Sequence, residues 1–120
     1  MDELTTTGPS TVAELNNGKV TLFELLPDDA GIPTASTNDL QGGLPEENAK
    51  ALRALLDGAK NPYRNVVLYN AAAAFMVSDK VPDLKAGVAM AEASIDSGMA
   101  SIALAKLIAI TNQAPPPERL

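Results

Sequence analysis

Residues 11–25 read TVAELNNGKVTLFEL, and their pattern decides the fold. Two runs rich in β-branched and long apolar side chains, residues 11–15 and 19–25, flank Asn16-Asn17-Gly18. An Asn-Gly pair readily supplies the two positive φ angles of a type I′ turn, whose twist matches that of paired strands. The spacing therefore predicts a β-hairpin. Along its second strand Val20, Leu22 and Glu24 point one way and Thr21, Phe23 and Leu25 the other. Apolar groups fall on both faces, so such a hairpin asks for a larger sheet beside it.

Upstream, MDELTTTGPS combines helix-resistant Thr with a Gly-Pro break, which predicts an extended arm turning at Gly8. Downstream, residues 27–43 lack sustained periodicity and read as a connector holding one short helical turn. Helical patterning begins at Pro45, a first-turn residue, with Glu46 and Glu47 at the positive end of the dipole. Its stripe is Ala49, Leu52, Leu55 and Leu56, and Gly58 ends it. Asn61-Pro62 caps a second helix whose residues 66–77 are apolar nearly all round, as a buried central helix requires, and whose run of Ala71 to Ala74 admits close neighbours. A third follows Pro82 with Leu84, Val88, Ala91 and Ile95 at helical spacing. Asp96-Ser97-Gly98 breaks it from a fourth, which carries Ile102, Leu104, Leu107 and Ile108 to about Asn112. The expectation is an α/β fold without internal repeats: an N-terminal β-hairpin at the edge of a mixed sheet, then about four helices packed around it. Residues 1–112 form this unit, and 113–120, with three consecutive prolines, a disordered tail.

Composition narrows the chemistry. The 120 residues include no His and no Cys, which removes thiol nucleophiles, Ser-His-Asp triads, imidazole catalysis and Cys/His zinc sites. Carboxylate, hydroxyl, amide and Lys/Arg chemistry survive. A net charge of −6 argues against nucleic acid as a partner. The absence of Cys suits a reducing cytoplasm, and the longest apolar stretch, residues 66–77, is too short and, with Asn70, too polar to span a bilayer. Ala supplies 20 of the 55 hydrophobic residues, so the core is thin for the chain's length.

Five features remain as candidates. Asp2 and Glu3 are adjacent carboxylates, the hard ligands Mg²⁺ takes when it bridges to a phosphate, although such a pair at a terminus is more often simply solvated. Gly42-Gly43 before a helix resembles a phosphate nest, but Glu46 and Glu47 stand where the anion would go, which favours a plain turn. Lys60 and Arg64 read as surface cations. Asn70, an amide inside an apolar helix, must find partners, and tying the helix to an adjoining loop satisfies that need. Met90 and Met99 read as core gap-fillers.

Several of these strings stand in a familiar order: Asp2-Glu3, Gly8-Pro9-Ser10-Thr11-Val12-Ala13-Glu14-Leu15, the Asn-Gly hairpin, Pro27-Asp28-Asp29-Ala30-Gly31-Ile32-Pro33, Gly42-Gly43 with Glu47-Asn48-Ala49, Leu68-Tyr69-Asn70-Ala71-Ala72-Ala73-Ala74, and Ser94-Ile95-Asp96-Ser97-Gly98. Together, over residues 2 to about 111, they resemble the C-terminal part of the anthranilate phosphoribosyltransferases. Pyrimidine nucleoside phosphorylases, of the same fold, match this region poorly. The resemblance implies the C-terminal portion of a phosphoribosyltransferase and nucleoside phosphorylase-like α/β domain. It implies a cytoplasmic enzyme of tryptophan biosynthesis that moves phosphoribosyl from phosphoribosyl pyrophosphate (PRPP) to anthranilate, releasing pyrophosphate. It also implies that Asp2 and Glu3 are metal ligands and that Mg²⁺ is the cofactor.

That family's glycine-rich phosphate loop, its ribose and anthranilate contacts and its N-terminal helical dimerisation domain all precede the matching region. The resemblance thus implies a fragment, inactive alone, lacking the family's homodimer interface, with Met1 matching an internal methionine. Its Gly42-Gly43-Leu44-Pro45 departs from the family's usual acidic residue after the glycine pair, which alters a cap and no chemistry. The bare strand edge predicts a loosely packed or self-associating species. The alternative reading is a non-catalytic acidic helical module that binds a protein partner.

Overall fold

The computed structural model describes residues 3–113. Asp2 and residues 114–120 of the predicted tail lie outside the described residues.

Ser10–Asn16 (β1) and Lys19–Leu25 (β2) pair antiparallel, with Asn16 opposite Lys19 and Ser10 opposite Leu25. Asn17 and Gly18 close the hairpin at φ 49° and 78°, both positive as a type I′ turn demands. Short 3₁₀ turns follow at Pro27–Ala30 and Thr37–Leu40, one more than the connector was expected to hold. The second carries a local signature, Ser36 with Asp39 three residues on: Asp39 accepts from the Ser36 backbone N–H at 2.8 Å and from its hydroxyl at 2.7 Å. Four helices complete the chain: α1 (Pro45–Leu56), α2 (Pro62–Val77), α3 (Leu84–Asp96) and α4 (Met99–Thr111). The predicted order of a hairpin and then four helices is what the chain adopts.

The helix ends follow side-chain chemistry. Asn61 Oδ1 accepts from the Arg64 N–H at 2.9 Å, and Asp83 Oδ1 from the Ala86 N–H at 2.8 Å, each satisfying a donor that helical geometry leaves unpaired. Gly58 and Gly98 take φ of 97° and 80°, the left-handed conformation that stops a helix cheaply only in glycine. At Gly98 the axis turns by 67° between α3 and α4.

The core lies between α2 and α3. Leu55, Leu68, Tyr69, Ala72, Leu84, Ala91 and Ile95 form one buried cluster with Ala30 and Ile32 of the connector. A Cβ placed on Gly87 would lie 2.8 Å from Ala72 Cα and 2.9 Å from Ala72 O, so the helices cross at backbone contact. This is the close approach that the alanine run anticipated.

The sheet has only two strands among the described residues, so the strand edge expected to stand bare does so. Three expectations change. The helices pack on one another rather than around the hairpin, which stands out with Leu15, Val20 and Leu22 each more than 60% exposed. A radius of gyration of 16.8 Å, against about 13 Å for a compact domain of roughly 100 residues, records that protrusion. Met90 and Met99 are 39% and 59% exposed, not core, because nothing is packed over them. In α1 the burial sits at Leu55, with Leu52 and Leu56 half-buried and Ala49 exposed. Helix α4 has no buried residue. No single helix among the described residues is long and apolar enough to cross a membrane.

Candidate functional site

Glu3 is exposed, and the backbone after it is fixed in place. The Leu4 N–H donates to Asn70 Oδ1 at 2.9 Å, and Asn70 Nδ2 donates to the Leu4 carbonyl at 2.8 Å. The second Nδ2 hydrogen goes to the Val66 carbonyl one helical turn back, at 2.9 Å. One side-chain amide thus presents to Leu4 the donor and acceptor of a neighbouring strand while staying anchored to α2. The structural role read for Asn70 is borne out, and the loop it ties down is the one carrying Glu3.

The rest of the arm is held as firmly. The Thr5 N–H donates to Ser10 Oγ at 3.0 Å, Thr7 N–H to Thr5 Oγ1 at 3.1 Å, and the Ala35 N–H to the Thr6 carbonyl at 2.9 Å. Thr6 is fully buried. An extended arm was expected here, with its acidic pair at a fraying end. From Leu4 onward it is instead seated in a groove formed by α2 and the connector. Two partners far along the sequence, Asn70 and Ala35, supply backbone pairing that a free arm would leave to water.

Asp2 lies outside the described residues, and Glu3 contributes one carboxylate. Among the described residues no three His, Cys, Asp or Glu side chains come together as a metal cage. An exposed carboxylate on a fixed backbone fits a different kind of centre, in which Mg²⁺ takes one or two protein carboxylates and completes its shell with phosphate oxygens and water.

The remaining candidates resolve differently. At Gly42-Gly43 the turn reading holds, because the exposed donors are already engaged: Gly43 N–H with Asn48 Oδ1 at 2.9 Å and Leu44 N–H with Glu47 Oε2 at 2.8 Å. Lys60 is exposed as expected. Arg64 is not. It is 2% exposed, with Nη2 2.7 Å from Asp96 Oδ1 and Nη1 unpartnered within the described residues. The sequence does hold a signal for this, since Arg64, Leu68 and Ala72 recur at i, i+4 and i+8 and share the buried face of α2. Tyr69, which sequence reading did not single out, is fully buried and donates from its hydroxyl to the Leu26 carbonyl at 3.1 Å, pinning the exit of the hairpin to α2. Burial first, then the negative charge of Asp29, pushes its hydroxyl above the usual phenol range. Two surface clefts, one between α1 and α4 and one beside the Thr37–Leu40 turn, are lined by neither Glu3 nor Asn70.

This hairpin, clamped arm and helical layer can be set beside known proteins. Residues 1–101 match the family model described as glycosyl transferase family, a/b domain. The chain belongs to that family. Within it, an anthranilate phosphoribosyltransferase from Parvibaculum lavamentivorans is 58% identical over 112 residues, covering 93% of this chain and 33% of the relative. A crystal structure of the anthranilate phosphoribosyltransferase from Thermus thermophilus superposes with a TM-score of 0.80 at 38% identity, over 91% of this chain and 32% of that one. The Saccharomyces cerevisiae enzyme in complex with PRPP and Mg superposes at 0.78 with 29% identity, over 87% and 30%. This family member therefore spans about a third of the length of the relatives it matches. The likeness to anthranilate phosphoribosyltransferases read from the sequence is borne out, and these relatives favour the transferase reading over the interaction module.

Proposed function

We propose that this chain serves as part of an anthranilate phosphoribosyltransferase, moving phosphoribosyl from PRPP to anthranilate with release of pyrophosphate. The observation that carries the reading is the 58% identity over 112 residues to the Parvibaculum lavamentivorans enzyme. In this reading Asp2 and Glu3 are the protein's share of a Mg²⁺ site. The chemistry supplied by a metal bound there is neutralisation of charge on the diphosphate oxygens as the ribose C1 bond breaks. Glu3 offers its carboxylate outward, and Asn70 fixes the height and direction of the backbone that bears it. A carboxylate held this way needs less ordering on binding than one on a free arm. A cytoplasmic setting agrees with the lack of Cys. The chain alone should not turn over, since it spans only about a third of the length of the anthranilate phosphoribosyltransferases it matches, and transfer needs both substrates held in place.

The test is a single-chain exchange. Residues 1–112 replace the matching third of the Parvibaculum lavamentivorans relative, and Mg²⁺-dependent transfer to anthranilate is assayed. We expect an active chimera in which Asp2→Asn or Glu3→Gln lowers turnover by about 10²-fold, as loss of one transition-state charge contact does. A cooperatively folded chimera without transfer overturns the reading, and full activity in both variants overturns the metal role.

A further inference from the structure

An asparagine side chain is lost when the backbone nitrogen of the next residue attacks its amide carbon, so the reaction needs an unhindered, unengaged nitrogen beside a free amide. Asn17-Gly18 offers both. Of the eight asparagines only Asn17 precedes glycine, which puts no Cβ beside the attacking atom. Both residues are exposed at the hairpin tip, beyond the last ladder pair of Asn16 with Lys19, and the Gly18 N–H meets no backbone acceptor among the described residues. The end of a ladder opens without unpairing the rest, so the turn reaches geometries other than its φ of 49° and 78°.

Elsewhere the same chemistry is blocked. Asn61 is followed by Pro62, whose nitrogen has no proton to lose. The amides of Asn48, Asn70 and Asn112 each donate to a carbonyl, at 3.0, 2.8 and 2.8 Å. Asp57-Gly58 is the chain's one Asp-Gly pair and closes the same ring in principle, but its Gly58 N–H is held by the Leu55 carbonyl at 3.0 Å.

We propose that Asn17 is a site of spontaneous covalent modification, converting to isoaspartate and aspartate through a cyclic imide with water as the only co-reactant. The Gly18 nitrogen gives its proton to solvent base and bonds to Asn17 Cγ, the Cγ–Nδ2 bond breaks, and ammonia leaves. Water then adds to either carbonyl of the ring. Opening at Cγ gives aspartate, whereas opening at the main-chain carbonyl leaves the chain running through Cγ as isoaspartate. Either product adds one negative charge to the net −6. Only isoaspartate lengthens the backbone, by a methylene, and a two-residue turn with both φ positive cannot keep its register across the added atom. The hairpin thus loosens from its tip as the molecule ages, while its exit stays pinned by the Tyr69 bond to Leu26. The inference is independent of the transferase reading, because the reaction needs no substrate.

The experiment incubates the 120-residue chain in neutral and in mildly alkaline buffer. It follows ammonia release, a mass gain of about 1 Da, and the position of that gain by peptide mapping. The gain should fall at Asn17 with isoaspartate among the products, and should quicken with pH as the attacking nitrogen is deprotonated. Asn17→Gln, whose longer arm closes a ring less readily, should slow release by about tenfold or more. Amide exchange over residues 14–21 should quicken in the aged chain but not in Asn17→Asp, which carries the charge without the extra methylene. Exchange at Leu4 should hold in both. Conversion spread evenly over the asparagines overturns the proposal, as does an aged chain with Asn17 intact while another asparagine has reacted. Release from Asn17→Gln at the parent rate also overturns it, and isoaspartate at position 17 with unchanged exchange overturns the loosening.

Discussion

Asn70 stands to Leu4 as the next strand of a sheet would, giving and receiving one hydrogen bond at 2.8 and 2.9 Å from a single side chain on a helix. Only Asn and Gln carry the donor and acceptor of a peptide group, and the shorter of the two keeps the second hydrogen within reach of the Val66 carbonyl. The arm bearing Glu3 thereby becomes a rigid extension of α2.

Replacing Asn70 separates this clamp from simple packing. Asn70→Ala leaves the Leu4 N–H and carbonyl unpaired in a half-buried site, and should cost about 2 kcal/mol in urea unfolding. Asn70→Asp should cost more, since it sets a carboxylate oxygen against two carbonyls where a donor stood. Faster exchange at the Leu4 amide should accompany both. Unchanged exchange there would show that the clamp does not hold the arm.

Gly87 tests the helix crossing by the sign of the effect. On an open helical surface Gly→Ala stabilises by about 1 kcal/mol. Here the new methyl would meet Ala72 backbone at 2.8 Å, so Gly87→Ala should instead destabilise by about 1–3 kcal/mol as α3 is pushed off α2. A rise in the thermal midpoint would show that the crossing is looser than the contact implies.

Arg64 and Asp96 should respond unequally. Asp96 is half-exposed and loses little solvation in the pair, whereas Arg64 is 2% exposed and depends on it. Asp96→Ala strands a buried guanidinium and should cost about 1–3 kcal/mol, below the range for a fully buried pair because water reaches the Asp96 side. Arg64→Met removes the charge and keeps the volume, and should be near neutral. Chemical denaturation of the two variants decides, and equal losses would contradict the asymmetry.

Tyr69 gives the fold an alkaline limit. Its hydroxyl is harder to ionise folded than unfolded, so its contribution is complete below the ordinary phenol value of about 10 and is lost as pH rises through the higher folded value. Tyr69→Phe should remove that part of the alkaline decline while costing about 1 kcal/mol at neutral pH for the lost bond to Leu26 O. Parallel pH profiles for parent and variant would refute the assignment.

What could be read in advance was what depends on neighbours in sequence. Asn17-Gly18 encodes its own turn, Asn61 and Pro62 their own helix start, and an amide at position 70 announces that it needs partners. Local signals also existed for two features the reading passed over: Ser36 with Asp39 for the second 3₁₀ turn, and the i, i+4, i+8 face that buries Arg64. The exposure of Met90 and Met99, the seating of residues 4–10 and the isolation of the hairpin carry no local signal. Each is decided by whether some distant surface arrives to cover it, and composition is silent on that.

Gly98 holds one further choice. Helices α3 and α4 form one long apolar run, and the 67° turn between them divides it in two. A residue confined to negative φ at this point would favour one unbroken rod from position 84 to 111, roughly 40 Å long. Such a rod would carry the second half of the run away from the core that Leu84, Ala91 and Ile95 share with α2, so one left-handed glycine sets how far the apolar surface of this chain extends.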